Sequence, residues 1–396
     1  MVAAAFVLAV FGWGVGFYGP PVYLHAVRAA RGWSLPLVSA AVTLHFLTGA
    51  IVVANLPGLY RRLGLPSVTK AGVLSLALGV CGWAWAEQPW QLCVATFFSG
   101  AGWVAMSAAA INAIVSPWFV RARPAALGMA YNGASIGGVV FSPLWVTAIE
   151  RLGFPEAAAL IGLVMVTVVW VLADRIFSRT PQQMGLAPDG DAPGTPVPAT
   201  PSPALHTLPG KLLWRDRQFI TLAAGMALGL FAQIGLIAHL FSLLTPALGT
   251  QGAGLAMGLA TASAIAGRTI VGWAMPVDAD RRLVACVSYA VQIIGSIVLV
   301  AAAGQGVMLL LLGSILFGAG IGNATSLPPL IAQIEFARRD VPRVVALIVA
   351  VGQGTYAFAP AVFGIVRELG SAPAFFAIAA LIQVLAICCF FAGRRR

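Results

Sequence analysis

Long apolar runs dominate the chain, and short polar segments separate them. A helix needs about 20 apolar residues to cross a bilayer core about 30 Å thick. Runs of that length occur at residues 2–27, 36–59, 68–86, 90–116, 124–149, 155–177, 218–245, 252–275, 283–303, 306–333, 343–366 and 372–393. The pattern therefore predicts an all-α integral membrane protein with twelve transmembrane helices.

The longest polar segment, residues 178–216, lies between the sixth and seventh runs. It contains PDGDAPGTPVPATPSPA, whose Pro, Ala and Thr content is typical of a linker that buries no core. We therefore divide the chain into an N-terminal six-helix half over 1–177, a Pro-rich cytoplasmic linker over 178–216, and a C-terminal six-helix half over 217–396.

Composition and charge agree with this picture. Only 9% of the residues are charged, against roughly 25% in soluble domains. If both termini are cytoplasmic, the inside segments hold 18 of the 23 Lys and Arg residues, the outside segments hold four, and one lies in a span. This bias follows the positive-inside rule, so the net charge of +11 needs no nucleic acid to explain it. We expect a protein of the bacterial inner membrane with both termini in the cytoplasm.

The two halves repeat a pattern at an offset of 217–218 residues. FSGAGW (98–103) aligns with LFGAGI (316–321), FSP (141–143) with FAP (358–360), and IERLG (149–153) with VRELG (366–370). Six spans separate the copies, so both copies have the same orientation. Two parallel six-helix halves are typical of the major facilitator fold, in which the substrate lies near the membrane midplane between the halves.

Residues 118–137, WFVRARPAALGMAYNGASIG, resemble the loop and fifth span of the monocarboxylate porter and oxalate–formate antiporter branch of the major facilitator superfamily. Further segments similar to that branch are RGWSLPLVSAAVT (31–43), TPQQMGLAPDG (180–190) and GRTIVGW (267–273). The resemblance implies a secondary active transporter that moves a small organic anion, such as a monocarboxylate, by alternating access. The alternative is a major facilitator exporter of drugs or amphipathic metabolites.

Arg268 is the basic residue in the interior of a predicted span. It precedes Pro276 by eight residues, about 12 Å of helix, which places it close to the midplane. A charge there costs at least about 2.5–3.5 kcal/mol and usually faces a wet cavity. Because no acid lies in the middle of a span, a substrate carboxylate is its best partner. In the resembled branch the span-eight arginine binds that carboxylate, and Arg268 matches its position; the alternative is an arginine bonded to backbone carbonyls.

Other polar residues within the spans are candidates for substrate contact. They are His239, Asn112, Asn132, Gln353 and Tyr356. Each must find hydrogen bonds in a medium without water, so contact between helices is the alternative role.

Proton coupling is a separate question. The resemblance implies an Asp one turn before the span-eight arginine, but Ala264 stands there, and the expected lysines in spans one and eleven are also missing. Coupling would then depend on His239, His45 or the substrate's own proton, since the pKa of histidine lies near neutrality.

Charged residues at the cytoplasmic ends of the spans are candidates for an inner gate. They are Arg121, Arg123, Asp278, Asp280 and Arg338. Arginines and acids at this level can pair when the gate closes, although orientation alone would also explain the arginines.

The sequence contains no metal-ligand pattern, nucleophile–base set or phosphate-binding loop in a credible context. We therefore expect neither an enzyme nor a catalytic residue, metal or cofactor. A sensor is disfavoured because the linker is too short and Pro-rich for a signalling domain. The expected partners are a small organic anion, a co-transported proton or counter-anion, and the lipid bilayer, with the chain acting as a monomer.

Overall fold

The computed structural model describes residues 1–119, 123–190, 210–276, 279–302, 306–337 and 340–394. The chain forms two compact units, Met1–Pro198 and Ala199–Arg396. All regular secondary structure in the described ranges is helical, and no strand occurs there. The predicted domain boundaries at 177 and 217 stay predictions.

The N-terminal unit contains eight α-helices among its described residues. They are α1 (Val2–Gly16), α2 (Gly19–Arg31), α3 (Leu35–Leu63), α4 (Leu65–Trp85), α5 (Pro89–Val104), α6 (Ala108–Val115), α7 (Arg123–Leu152) and α8 (Phe154–Leu172). A π-helical turn, Ala173–Phe177, continues α8, and two 3-10 turns follow at Gln182–Met184 and Pro188–Gly190. Gly64 and Gly153, with φ of 79° and 89°, each connect two helices as a single residue, because glycine adopts positive φ without a steric penalty.

The C-terminal unit contains seven α-helices in its described ranges. They are α9 (Gly210–Leu213), α10 (Arg217–Ala274), α11 (Arg281–Ala301), α12 (Val307–Glu335), α13 (Val341–Tyr356), α14 (Ala359–Leu369) and α15 (Ala372–Ala392). Helix α10 covers two predicted spans, with Pro246 inside it and a non-helical Gly249 (φ 68°, ψ 174°). A straight helix of 58 residues would be about 87 Å long, nearly three bilayer cores, so we place the division of α10 at Gly249.

Eleven segments in the described ranges are long and apolar enough to cross a membrane, and one of them is the whole of α10. The prediction of an all-α integral membrane protein is confirmed. The exact count of twelve spans stays a prediction.

Glycines set the closest helix contacts of the N-terminal unit. A Cβ atom on Gly133 of α7 would lie 2.2 Å from the carbonyl oxygen of Phe6, and one on Gly137 would lie 2.5 Å from that of Val10. The backbones of α1 and α7 therefore touch directly, as small residues at helical spacing allow. Gly128, in the same motif, has no such neighbour within 4 Å.

The aligned segments FSGAGW and LFGAGI pack alike in the two units. Their first glycines approach a backbone carbonyl: a Cβ on Gly100 would lie 2.1 Å from the oxygen of His45, and one on Gly318 would lie 2.2 Å from that of Ala260. The next glycines, Gly102 and Gly320, face α4 and α11 just as closely. The sequence repeat is thus also a repeat of helix packing.

Candidate functional site

Arg268 lies six residues before the end of α10 at Ala274, roughly 9 Å along the axis. Its Nε donates a hydrogen bond to the carbonyl oxygen of Gly322 on α12, at 3.3 Å. A Cβ on Gly322 would lie 2.6 Å from the oxygen of Ala264 and 3.0 Å from that same Nε. Glycine at this position therefore lets the guanidinium rest against the α12 backbone.

The α12 backbone beside Arg268 is unusually polar for a membrane helix. The Gly322 oxygen also accepts hydrogen bonds from Ser326 Oγ at 3.0 Å and Thr325 Oγ1 at 3.4 Å. One turn later come Pro328 and Pro329, which have no N–H to donate to the carbonyls four residues earlier. Arg268 thus lies next to hydroxyl groups and backbone oxygens.

His239 is fully buried in the C-terminal unit. Its Nε2 lies 3.0 Å from the oxygen of Pro360, at the start of α14. Because a carbonyl oxygen only accepts, this nitrogen carries a proton. The ring meets Phe375 of α15 edge-on, at 5.7 Å between centroids, so the side chain connects α10 to α14 and α15.

The remaining substrate candidates lie in different surroundings. Gln353 and Tyr356 are half-buried near the end of α13, where their spacing of three residues puts them on one face. Asn112 of α6 and Asn132 of α7 are exposed, and Asn112 Oδ1 accepts a hydrogen bond from Ser116 Oγ at 2.6 Å. Of the predicted set, the C-terminal unit holds Arg268, His239, Gln353 and Tyr356, and the N-terminal unit holds the two asparagines.

His45 forms a hydrogen bond to the backbone at the break between α1 and α2. Its Nε2 lies 2.9 Å from the oxygen of Gly16, a carbonyl that cannot accept the usual helical bond because residue 20 is proline. Its Nδ1 lies 2.8 Å from Ser99 Oγ, and that hydroxyl accepts from Trp83 Nε1 at 3.2 Å. With Nε2 protonated and Nδ1 accepting, a neutral imidazole makes a hydrogen bond with the Ser99 hydroxyl and with the Gly16 oxygen, and neither ring nitrogen is left without a partner.

Two carbonyls just before Gly16 are also capped by side chains. Trp145 Nε1 donates to the oxygen of Gly14 at 3.2 Å, and the Tyr23 hydroxyl donates to that of Val15 at 3.1 Å. The donors come from α7 and α2, and His45 adds α3. Three consecutive backbone oxygens at the break are therefore anchored to three different helices.

Part of the predicted gate lies outside the described residues. Arg121, Asp278 and Arg338 belong there, as does the side chain of Arg123. Asp280 caps the start of α11: its Oδ1 accepts from the backbone amides of Arg282 at 3.0 Å and Leu283 at 3.1 Å, and its Oδ2 accepts from Arg394 at 2.5 Å. Partial burial raises the pKa of the Asp280 carboxyl, but these hydrogen bonds outweigh it and hold the pKa below its ordinary value.

A buried ion pair lies at the same end of the C-terminal unit as Asp280, and it was not predicted from the sequence. Arg282 is 2% exposed and binds Glu335 through Nε at 2.6 Å and Nη2 at 2.8 Å. Nη2 also donates to the oxygen of Gln218, and Nη1 donates to Thr221 Oγ1 and to the oxygen of Phe390. All five guanidinium N–H groups can thus be used, and α10, α11, α12 and α15 are joined. The signal for this pair in the sequence is an acid, Glu335, just after one apolar run and an arginine, Arg282, just before another.

Residues 3–339 match the family model described as Major Facilitator Superfamily. The match covers most of the chain. The chain belongs to the major facilitator superfamily.

Solved structures agree with this membership at the level of the fold. The transporter is similar to a mutant form of the nucleoside transporter NupG, with a TM-score of 0.77 and 13% identity over 100% of both chains. It is also similar to a bacterial homolog of the human lysosomal transporter Spinster in an inward-facing, occupied conformation. That TM-score is 0.68, with 12% identity over 99% of this chain and 96% of the other. No curated protein matches the chain in sequence.

The expectation of a major facilitator fold is confirmed, and so is the expectation of a secondary transporter that takes a small molecule, rather than an enzyme. The monocarboxylate and oxalate–formate branch is a finer assignment, which we take up as a proposal.

Proposed function

We propose that this major facilitator transporter carries a small organic anion, in the simplest case a monocarboxylate, and that Arg268 binds its carboxylate. The observation that supports this most is the position of Arg268, a partly exposed cation six residues before the end of α10 and beside the Ser326 and Thr325 hydroxyls of α12. Its Nε is held by the Gly322 oxygen, a bond that a purely structural arginine would also form. A guanidinium is planar, so one anchored N–H constrains the orientation of the remaining donors. Such a fork matches a carboxylate, which it can bind through two parallel hydrogen bonds.

Charge supports the same substrate class. The acids of the C-terminal half are Asp278, Asp280, Glu335, Asp340 and Glu368, all at or near the ends of apolar runs. In sequence, none of them lies in the interior of an apolar run, as Arg268 does. An arginine in the interior of a membrane span usually faces a wet cavity, where an anionic substrate could pair with it.

We assign supporting roles to the other candidates. Gln353, Tyr356, Asn112 and Asn132 are proposed to contact the rest of the substrate, since all four are at least partly exposed within their own units. For a coupled proton we propose His239 or His45. Both ring nitrogens of His45 form hydrogen bonds, to Ser99 Oγ and to the Gly16 oxygen.

The proposals on oligomeric state, membrane and topology rest on the sequence. We propose that the transporter works as a monomer in a bacterial inner membrane, with both termini cytoplasmic. The supporting observation is the excess of Lys and Arg in the segments that this topology places inside.

The test is a stability shift of the purified protein in detergent, with lactate, pyruvate, acetate, oxalate, formate and aromatic acids. A ligand at 100 times its Kd should stabilise the folded protein by about 2.7 kcal/mol. We expect a carboxylate to stabilise the wild type and the control variant Arg281→Ala, but not Arg268→Ala. Arg281 is a matched control because its Nη1 also donates to an α12 carbonyl, that of Leu330, at 2.7 Å.

The proposal fails if no carboxylate stabilises the wild type while a nucleoside or a cationic amphiphile stabilises wild type and Arg268→Ala equally. Arg268 would then be a structural arginine bonded to α12, and the exporter alternative would become the leading hypothesis. A carboxylate identified in this way would next be tested for flux in proteoliposomes.

A further inference from the structure

The core of the C-terminal unit contains a group of buried polar side chains. Tyr289, Gln292 and Ser296 belong to α11, Gln233 to α10 and Gln383 to α15, and none is more than 3% exposed. Among the described residues, five of their polar atoms have no hydrogen-bond partner: the Tyr289 and Ser296 hydroxyls, Gln292 Nε2, and the Oε1 atoms of Gln233 and Gln383. Native proteins rarely leave buried polar atoms unsatisfied, so the group needs an explanation.

These side chains form one cluster on adjoining helices. Residues 289, 292 and 296 share a face of α11, because they are spaced at three and four residues. Gln383 Nε2 donates to Gln292 Oε1 at 3.0 Å, which joins α15 to this face. From α12, Gly320 comes so close that a Cβ atom would lie 2.8 Å from Gln292 Nε2.

Gln233 lies at the same level of the unit. Thr221 of α10 contacts Arg282 of α11 through a hydrogen bond of 3.1 Å, and a Cβ on Gly229 would lie 2.0 Å from the Tyr289 hydroxyl. Both contacts join residues about 60 positions apart, so the first part of α10 and α11 point in the same direction, and long side chains connect them. Gln233 lies one turn beyond Gly229 on the same face of α10, and it is therefore close to the level of Gln292.

The unsatisfied atoms favour one kind of ligand. They comprise one amide donor, two amide acceptors and two hydroxyls that can donate or accept. A cation would be opposed by the Gln292 NH₂ group and has no acidic ligand in this cluster, and an anion would be opposed by the two amide oxygens. Water donates and accepts two hydrogen bonds each, and buried water typically makes about three bonds to such groups.

We propose that the C-terminal unit binds an internal water cluster between α10, α11, α12 and α15, held by Tyr289, Gln292, Ser296, Gln383 and Gln233. The cluster belongs to one half only. At the offset of the repeat, four of the five positions are apolar or glycine in the N-terminal half: 15–16, 71–72, 78–79 and 165–166. The C-terminal core thus contains exchangeable hydrogen bonds where the N-terminal core contains apolar contacts.

Radiolytic hydroxyl-radical labelling of the full-length protein in detergent tests this directly, because bound water is a local source of radicals. Tyr289 is only 1% exposed, and so is Tyr23 in the N-terminal unit. Tyr23 is the matched control, since its hydroxyl donates to the Val15 oxygen. We expect several-fold more oxidation at Tyr289 than at Tyr23. Equal labelling of the two tyrosines would overturn the proposal.

The sign of a stability change gives a second readout. In a dry core, Ser296→Ala removes an unsatisfied hydroxyl and raises the apparent Tm or leaves it unchanged; in a hydrated core it removes a bond to water and lowers the Tm. Ser314→Ala is the control, because Ser314 is equally buried but its Oγ donates to the Leu310 oxygen at 2.8 Å. We expect Ser296→Ala to lower the Tm by a few degrees relative to this control, and Tyr289→Phe to act in the same direction. A raised or unchanged Tm in both variants would show that the cluster is dry and would overturn the proposal.

Discussion

The imidazole of His45 donates a hydrogen bond to the carbonyl oxygen of Gly16 at 2.9 Å, across 29 positions of sequence. The proline at position 20 cannot supply that bond, so a side chain of α3 completes the backbone of the broken first span. The same ring stacks on Trp103 at 5.9 Å between centroids. His45 therefore has a structural role in the N-terminal unit.

Replacement of His45 tests this role. His45→Leu should destabilise the protein by about 1–3 kcal/mol, because it leaves the buried Gly16 oxygen without its partner and removes one hydrogen bond of the Ser99 hydroxyl. His45→Gln should cost less, since its Nε2 can reach the same carbonyl. Thermal unfolding in detergent compares the two variants. Equal losses would mean that the hydrogen bond to Gly16 contributes little.

The Arg282–Glu335 pair should be far more sensitive to a single substitution than to loss of both charges. Glu335→Leu should cost about 3–5 kcal/mol, because it leaves a buried guanidinium without its counter-charge. The double variant Arg282→Met with Glu335→Leu should recover a large part of that loss. A double variant as unstable as the sum of both single variants would contradict coupling through this pair.

The pH dependence of stability should include a contribution from Asp280. Its pKa is lowered in the folded protein, so the folded state favours the ionised carboxyl. That contribution is present above the ordinary carboxyl pKa near 4 and is lost as the pH falls below it. The gap in stability between wild type and Asp280→Asn should therefore narrow from neutral pH to about pH 3. A gap that is constant over this range would assign the effect to packing.

Two glycines of one motif should respond in opposite ways. Gly133→Ala should destabilise the protein, because the new Cβ would lie 2.2 Å from the Phe6 oxygen and force α1 and α7 apart. Gly128→Ala meets nothing within 4 Å and should stabilise α7 by roughly 0.5–1 kcal/mol. Expression level and thermal unfolding of the two variants give the comparison. Similar effects would show that close contact between α1 and α7 is unnecessary.

The membrane helices could be predicted because their formation depends on residues that are close together in the sequence. A span needs about 20 apolar residues whatever its neighbours are, and a glycine or proline changes the backbone at its own position. The repeat at 217–218 residues indicated two related halves for the same reason, and Gly100 and Gly318 do occupy matching contacts.

The partners of the polar side chains could not be predicted in this way. Asn112 and Asn132 looked like His45 and His239 in sequence, yet the asparagines are exposed and the histidines are buried. In a soluble helix the apolar stripe indicates the buried face. In a membrane helix the lipid-facing side is as apolar as the core-facing side, so that signal is missing.

The sequence by itself therefore determined the class of fold, the approximate spans and the candidates for chemistry, each from residues close together in the chain. The tertiary structure decided that Gly322 anchors Arg268, that Glu335 neutralises Arg282 and that His45 caps Gly16. These partners are 54, 53 and 29 positions apart. A hydrogen bond depends on a few tenths of an ångström between helices, and that distance is set by the packing of the whole unit.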